Sequence, residues 1–328
     1  MKTMGKAFSY LAYGAVYGLW YVASLLPLRV LYVFSDLIYL VLGRLVKYRH
    51  KVIWRNLTTS FPEKTHDELR AIERDFYRWF CDYLVETVKL MTMSRSQMMR
   101  RMQFTGMETI NEIAAQGQSM AVYLGHYGQW EWITSLPYWV TPKLQCTEIY
   151  HPLENPYFDR LFRNVRQKRN SLCIPMAEVL RRVVEYRRQG QPIILGYISD
   201  QAPFWNNIHH WVNFLNHDTP VLTGGEQIQR KMNQAVFYGS VRRVRRGYYT
   251  CHMQLITRHP ADIEPFGITD IYYRKLEESI RRDPAIYLWS HNRWKRTRQE
   301  YNIRLDKETG RVDLGPLEDI KRRKGIKP

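Results

Sequence analysis

The sequence is poor in the residues that build stapled or metal-clamped folds. Four cysteines occur in 328 residues, Cys81, Cys146, Cys173 and Cys251, and none form a C-x-x-C pair. That spacing argues against a disulfide framework or a zinc site, and for buried free thiols in a reducing compartment. The nucleophile elbow G-x-S-x-G is absent, and so is the helical zinc signature H-E-x-x-H. Both absences count against an enzyme with its own serine nucleophile or a zincin-type metal site. No internal repeat and no low-complexity linker divides the chain, which fits one globular domain behind an N-terminal anchor. Acidic residues are scarce too: 31 Asp and Glu face 49 Lys and Arg, a net charge of +18. Such an excess predicts polyanionic partners, whether nucleic acid, anionic lipid head groups or an acidic protein.

Apolar material is plentiful. Hydrophobic residues make up 45% of the chain, enough for a core, which excludes general disorder. Aromatic residues make up 14%, with 23 Tyr and 10 Trp, and such rings favour surfaces that are apolar on one side and wet on the other. Ala7 to Leu28 carries no charge, and about 20 apolar residues suffice to cross a bilayer core. Val30 to Gly43 is a second apolar stretch, interrupted by Asp36. Two membrane arrangements follow: a single spanning helix, or a helical pair that dips into one leaflet and turns near Pro27 and Arg29. Lys2 and Lys6 precede the region, and Arg44, Lys47, Arg49, His50 and Lys51 follow it. Positive charge at both ends suits the pair, which returns to its starting side. A buried soluble helix is the alternative to both. Residues 1–47 are thus the expected anchor and 48–328 the expected catalytic domain.

Thr65-His-Asp-Glu68 has the form of a capping box, and Leu69, Ile72, Phe76, Phe80, Leu84 and Val88 continue with helical spacing. Ser119–Leu124, Cys146–Tyr150 and Pro192–Ile198 read as buried strands, with a basic helical stretch between the last two. Ala235–Arg243 and Gly247–Thr257 read as a strand pair around Arg245-Arg246-Gly247, and Asp270–Arg282 as a helix that stops before Pro284. The expected fold class is α/β, a central mixed β-sheet flanked by helices, with an N-terminal membrane-anchoring helix. The charged tail after Arg304 is expected at the periphery.

Gly125-His126-Tyr127-Gly128-Gln129-Trp130-Glu131-Trp132 follows the first strand. On a continuous α-helix, His126 and Glu131 would be separated by about 500° of rotation and face different ways. They meet only if His126 sits in a turn eased by Gly125 and Gly128, with Glu131 in the helix beyond. Glu131 would then hold one imidazole nitrogen while the other accepts a proton. With no protein nucleophile in sight, a substrate hydroxyl takes that part. A purely structural His–Glu hydrogen bond is the competing reading.

This segment resembles the H-x4-[D/E] motif of the lysophospholipid acyltransferase superfamily, and more closely that of the lipid A biosynthesis acyltransferases, which usually reads H-F-G-N-W-E. Further blocks, in order, are similar to that family: Tyr48-Arg49, Asn56-Leu57, Ser60-Phe61-Pro62-Glu63, Tyr150-His151-Pro152, Asn155-Pro156, Asp159, Arg166, Ser199-Asp200-Gln201 and Tyr287 through Lys295. Gln129, Ala202 and His151 depart from the pattern; they bear on acceptor and donor and leave His126 and Glu131 untouched. The resemblance implies a transferase without a cofactor at the cytoplasmic face of the bacterial inner membrane. It implies acyl carrier protein as donor and a glycolipid lipid A precursor, bearing a 3-hydroxyacyl chain, as acceptor. His126 and Glu131 would be catalytic, with Arg166, or next to it Arg163, stabilising the oxyanion. Asp200, Gln201, His291, Arg293 and Lys295 would contact substrate. The clusters Arg242, Arg243, Arg245, Arg246 and Arg293, Lys295, Arg296, Arg298 could receive the carrier or phosphates. An acyltransferase acting on a lysophospholipid or aminolipid is the nearer alternative. A membrane-tethered nucleic-acid-binding protein would explain the charge but not H-x4-E.

Overall fold

The fold was obtained as a computed structural model. It describes residues 2–326 and, for residues 2–12, the backbone alone. The expected flank of Lys2 and Lys6 and the first part of the uncharged run therefore lie outside the described side chains.

Helices α1 (Lys2–Leu25) and α2 (Leu28–Tyr39) are followed by a π-helical turn (Leu40–Leu45), α3 (His50–Ser60) and α4 (His66–Lys89). Pro27 stands between the first two, and the pair bends there by 118°. Among the described residues no single helix is long and apolar enough to cross a membrane. The bent pair Tyr13–Leu25 and Leu28–Leu45 reaches that length and composition only together. One face of α2, spaced at helical intervals as Leu28, Leu31, Ser35 and Tyr39, is buried against the body. Leu19, Val22 and Leu25 of α1 and Val30, Val33, Phe34 and Leu37 of α2 stay exposed.

The polar side of α4 holds this pair in place. Lys89 Nζ donates to the carbonyls of Ser24 (2.7 Å) and Leu26 (3.0 Å), satisfying acceptors left open where α1 ends. Ser35 donates to Asp82 at 2.6 Å, and the indole of Trp20 donates to the Val88 carbonyl at 3.0 Å. Helix α4 itself begins with the expected capping box, Thr65 accepting from the Glu68 N–H while the Glu68 carboxylate accepts from the Thr65 N–H.

Helix α5 (Arg95–Arg101) leads into β1 (Met102–Thr105), and α6 (Met107–Ala115) into β2 (Met120–Leu124). A 3₁₀ helix, Trp130–Tyr138, follows, then β3 (Gln145–Tyr150), α7 (Pro156–Gln167), β4 (Ser171–Pro175), α8 (Val179–Arg188) and β5 (Ile193–Ile198). A separate hairpin, β6 (His210–Phe214) with β7 (His217–Val221), precedes α9 (Gly224–Met232). Strands β8 (Ala235–Arg245) and β9 (Tyr248–Thr257) return to the main sheet, and α10 (Gly267–Arg282), α11 (Arg298–Arg304) and α12 (Leu317–Arg323) complete the chain.

The seven-stranded sheet has the order β1-β9-β8-β2-β5-β3-β4. Strands β8, β2, β5, β3 and β4 run parallel, β9 runs against β8, and β1 pairs parallel to β9. The expected mixed α/β sheet is therefore present. All five residues of β2 are buried, as a strand covered on both faces requires. The stretch read as one basic helical region is two helices with β4 between them. At five residues, that strand is too short to betray a period. The tail is less peripheral than expected: Ile320 is buried, and Arg304 is buried while donating to the carbonyls of Asp313 and Gly315.

Two of the four β8–β9 arginines, Arg246 and Arg243, are committed to this architecture. Arg246 donates to both oxygens of Asp82 and to Asp36, and its guanidinium lies 4.4 Å from the Tyr32 ring centroid. Arg243 pairs with Asp283, and Arg245 stacks on Tyr248. Of the cluster expected to receive a partner, Arg246 thus fastens α2 to α4, while Arg242 and Arg245 remain exposed.

Candidate active site

His126 and Asp200 come together because of strand register. In the parallel pair β2–β5, Leu124 stands opposite Ile198. Two residues beyond each, at the carboxyl edge where α/β sheets place their sites, are His126 and Asp200. Asp200 Oδ1 lies 2.7 Å from His126 Nδ1, and Oδ2 accepts the His126 backbone N–H at 2.9 Å. A carboxylate facing Nδ1 favours the tautomer with its proton there, leaving the Nε2 lone pair free. Gln201 Nε2 approaches that nitrogen at 3.3 Å. Asp200 is almost fully buried, and His126 keeps a partly open side chain. Burial opposes the Asp200 charge, but the neighbouring imidazole and its hydrogen bonds outweigh it and hold the carboxyl below its usual range.

The turn that presents His126 is pinned from a distant segment. Gly128 N–H donates to the Ile286 carbonyl at 2.8 Å, and Leu288 N–H donates to the His126 carbonyl at 3.1 Å. Tyr127 and Tyr287 form a β-bridge, and the Tyr127 hydroxyl donates to the Ser279 carbonyl at 2.6 Å. Gly128 has φ +63°, and a Cβ there would sit 2.6 Å from Val241 Cγ1. Gly128→Ala is therefore expected to cost about 1–3 kcal/mol, from left-handed strain and overpacking together. A melting curve indistinguishable from wild type would show that the turn is looser than this geometry.

Glu131 does not reach the imidazole. It opens the 3₁₀ helix, where the edge of the Trp130 ring packs on His126 with centroids 5.2 Å apart. Its carboxylate accepts two bonds from Arg166, from Nε at 2.9 Å and Nη2 at 2.6 Å. The expected His126–Glu131 contact is replaced by two pairs, His126 with Asp200 and Glu131 with Arg166. Asp200 already faces Nδ1 through Oδ1 while its Oδ2 holds the His126 N–H, and the Glu131 carboxylate is turned to Arg166. Glu148 on β3 adds a second carboxylate near Arg166. Although burial disfavours the guanidinium charge, the two acids push its proton affinity above the ordinary arginine range. The sequence block Asn155-Pro156…Asp159 explains how Arg166 is aimed. Asn155 accepts the N–H groups of Tyr157 and Phe158 as the cap of α7, Pro156 fills the first helical position, and Asp159 accepts the Leu153 N–H.

The remaining expected residues divide by accessibility. Arg163 is exposed one turn before Arg166, on the rim of a cavity of about 440 Å³ that Leu153, Arg160 and Asn164 also line. Gln201 and Lys295 are exposed. His291 is half-buried, and burial together with Arg293, His126 and Lys295 drives it to about 4 against the pull of Asp200, so it is neutral at neutral pH. Arg293 is only 1% exposed and donates to the Pro220 carbonyl and the Tyr273 hydroxyl. Its partners are thus interior groups, whereas the expectation was a contact with substrate. Arg298, from the same cluster, pairs with Asp218, and the neighbouring Trp294 stacks on His217 and donates to Thr219 of the β6–β7 hairpin. The role of the 286–288 segment was hidden in the sequence, although the Tyr287–Lys295 block marked its place. A second cavity, of about 500 Å³, lies at the opposite edge of the sheet beside Ser119, Gln191 and Gln234, away from this chemistry.

The arrangement is an imidazole oriented by a buried carboxylate and a half-buried guanidinium held by a second one. No individual curated protein matches the chain. A family does: the sequence pattern of bacterial lipid A biosynthesis acyltransferases matches residues 1–296, from the bent helical pair through Arg296. With the match running across every element that builds the site, this chain belongs to the bacterial lipid A biosynthesis acyltransferase family.

Proposed function

We propose that the protein transfers a fatty acyl group from the thioester of an acyl carrier protein to a hydroxyl of a lipid A precursor, with His126 as general base and Asp200 as its orienting partner. The observation that carries this reading is the Asp200 carboxylate 2.7 Å from Nδ1, which leaves Nε2 to act. Nε2 takes the acceptor's hydroxyl proton as its oxygen attacks the thioester carbonyl. The tetrahedral oxyanion is stabilised by the cationic side of the site, Arg166 first and Arg163 second. Collapse breaks the carbon–sulfur bond, and the imidazolium returns its proton to the departing thiolate. Glu131 serves by aiming Arg166. Gln201, His291 and Lys295 line the approach of substrate. The excess of basic residues suits an acidic carrier and anionic head groups alike.

The exposed apolar face of the bent pair is read as lying in one leaflet at the cytoplasmic face of the bacterial inner membrane. Apolar burial is not screened by salt, so the full-length protein is expected to stay with membranes through a high-salt wash. Release by salt alone would remove this part of the proposal.

The reaction is tested with purified full-length protein given carrier-bound and coenzyme A-bound acyl donors. The acceptors are a glycolipid precursor with 3-hydroxyacyl chains and, separately, a lysophospholipid. Acylation of the glycolipid from the carrier thioester is expected, slowing as salt rises. Preference for the lysophospholipid would overturn the acceptor assignment.

A further inference from the structure

One buried acid is not used by this chemistry. Glu86 on α4 is fully buried, which is costly for a carboxylate and unnecessary for packing alone. Its partners come from three elements. Tyr32 of α2 donates to Oε1 at 2.8 Å, Gln129 donates to Oε2 at 2.8 Å, and Tyr249 of β9 donates to Oε2 at 3.2 Å. The indole of Trp132 donates to the Glu86 carbonyl at 3.3 Å. Gln129 is itself fully buried and lies between His126 and Glu131. The next residue, Trp130, packs its ring on His126 and on Tyr83, one helical turn before Glu86. A chain of two hydrogen bonds thus runs from the N-terminal helical pair to the turn that presents the base. An apolar side chain at position 86 would fill the space but could not link the two.

Resting on the reading of His126 as the base, we propose that Glu86 is a positioning residue that couples the seating of α2, through Tyr32 and Gln129, to the geometry of the His126 turn. Burial pushes the Glu86 carboxyl up to about 7, so the group needs its donors to hold a charge there, and each lost donor is felt by the others. Ser35, one turn further along α2, bonds Asp82 instead and gives Glu86 no hydrogen bond; it meets the Tyr32 side only through the Asp82–Arg246 ion pair. It supplies the contrast.

The experiment compares full-length wild type, Tyr32→Phe, Glu86→Gln and Ser35→Ala by melting temperature and by kcat and KM with an acyl thioester and the glycolipid acceptor. Tyr32→Phe keeps the ring under Arg246 and removes one donor. It is expected to lower kcat about 5- to 10-fold, the scale of one ordinary hydrogen bond, with both KM values unchanged. Glu86→Gln is expected to lose less, because the Gln129 amide can rotate and accept from the new amide. Ser35→Ala should lower the melting temperature and leave kcat alone. Wild-type kcat in Tyr32→Phe, or equal kcat losses in Tyr32→Phe and Ser35→Ala, overturns the coupling while the transferase assignment stands. A wild type with no transfer to either lipid would instead bring down the transferase reading and this proposal with it.

Discussion

His126→Ala is expected to lower kcat by on the order of 10²- to 10⁴-fold, the usual contribution of a positioned general base. Asp200→Asn should lose nearly as much with the fold intact, because an amide at that place can donate to Nδ1 and favour the wrong tautomer. The two residues act as one unit, so the double variant should be scarcely worse than the worse single. Glu131→Ala and Arg166→Ala should form a second non-additive pair, since each guanidinium–carboxylate bond is lost with either partner. Measuring kcat and a melting curve for all four singles, both within-pair doubles and the cross-pair His126/Glu131 double tests this partition. A His126/Glu131 double that proves non-additive, with Asp200→Asn near wild type, would restore the contact expected from sequence and refute the one seen in the fold. Near-wild-type turnover in well-folded His126→Ala would end the base assignment altogether.

Deleting residues 1–45 is expected to destroy the fold rather than yield a soluble enzyme. The deletion removes Leu28, Leu31 and Tyr39 from the main core cluster. At about 1.5–3 kcal/mol for each large apolar side chain, that alone rivals the roughly 5–15 kcal/mol by which a domain is stable. It also removes both carbonyl partners of the buried Lys89 ammonium, one of the three donors to Glu86, and the Ser35 bond to Asp82. The expected result is insoluble protein, or a melting temperature lower by more than about 10 °C. A truncated form that melts like the full chain and merely leaves the membrane would show the helical pair to be a detachable tether.

Much of this molecule was readable along the chain. The strands from Met120, Gln145, Ile193, Ala235 and Tyr248, the capping box at Thr65 and the break at Pro27 are all signalled by residues close together in sequence. Local rules suffice for them because periodicity, capping and the missing proline N–H act within a few residues. The glycine-flanked His126 at a strand end was legible for the same reason. Its carboxylate partner was not. Glu131 is nearer in sequence, yet the β2–β5 register delivers Asp200 to Nδ1, and α7 delivers Arg166 to Glu131. Two of the arginines read as a docking cluster, Arg246 and Arg243, face Asp82, Asp36 and Asp283, on elements far away in the chain. Composition counts charges, but the acid that a given base meets is decided by strand register and helix packing. Those are set by burial of the whole apolar core at once, which no short window of sequence contains.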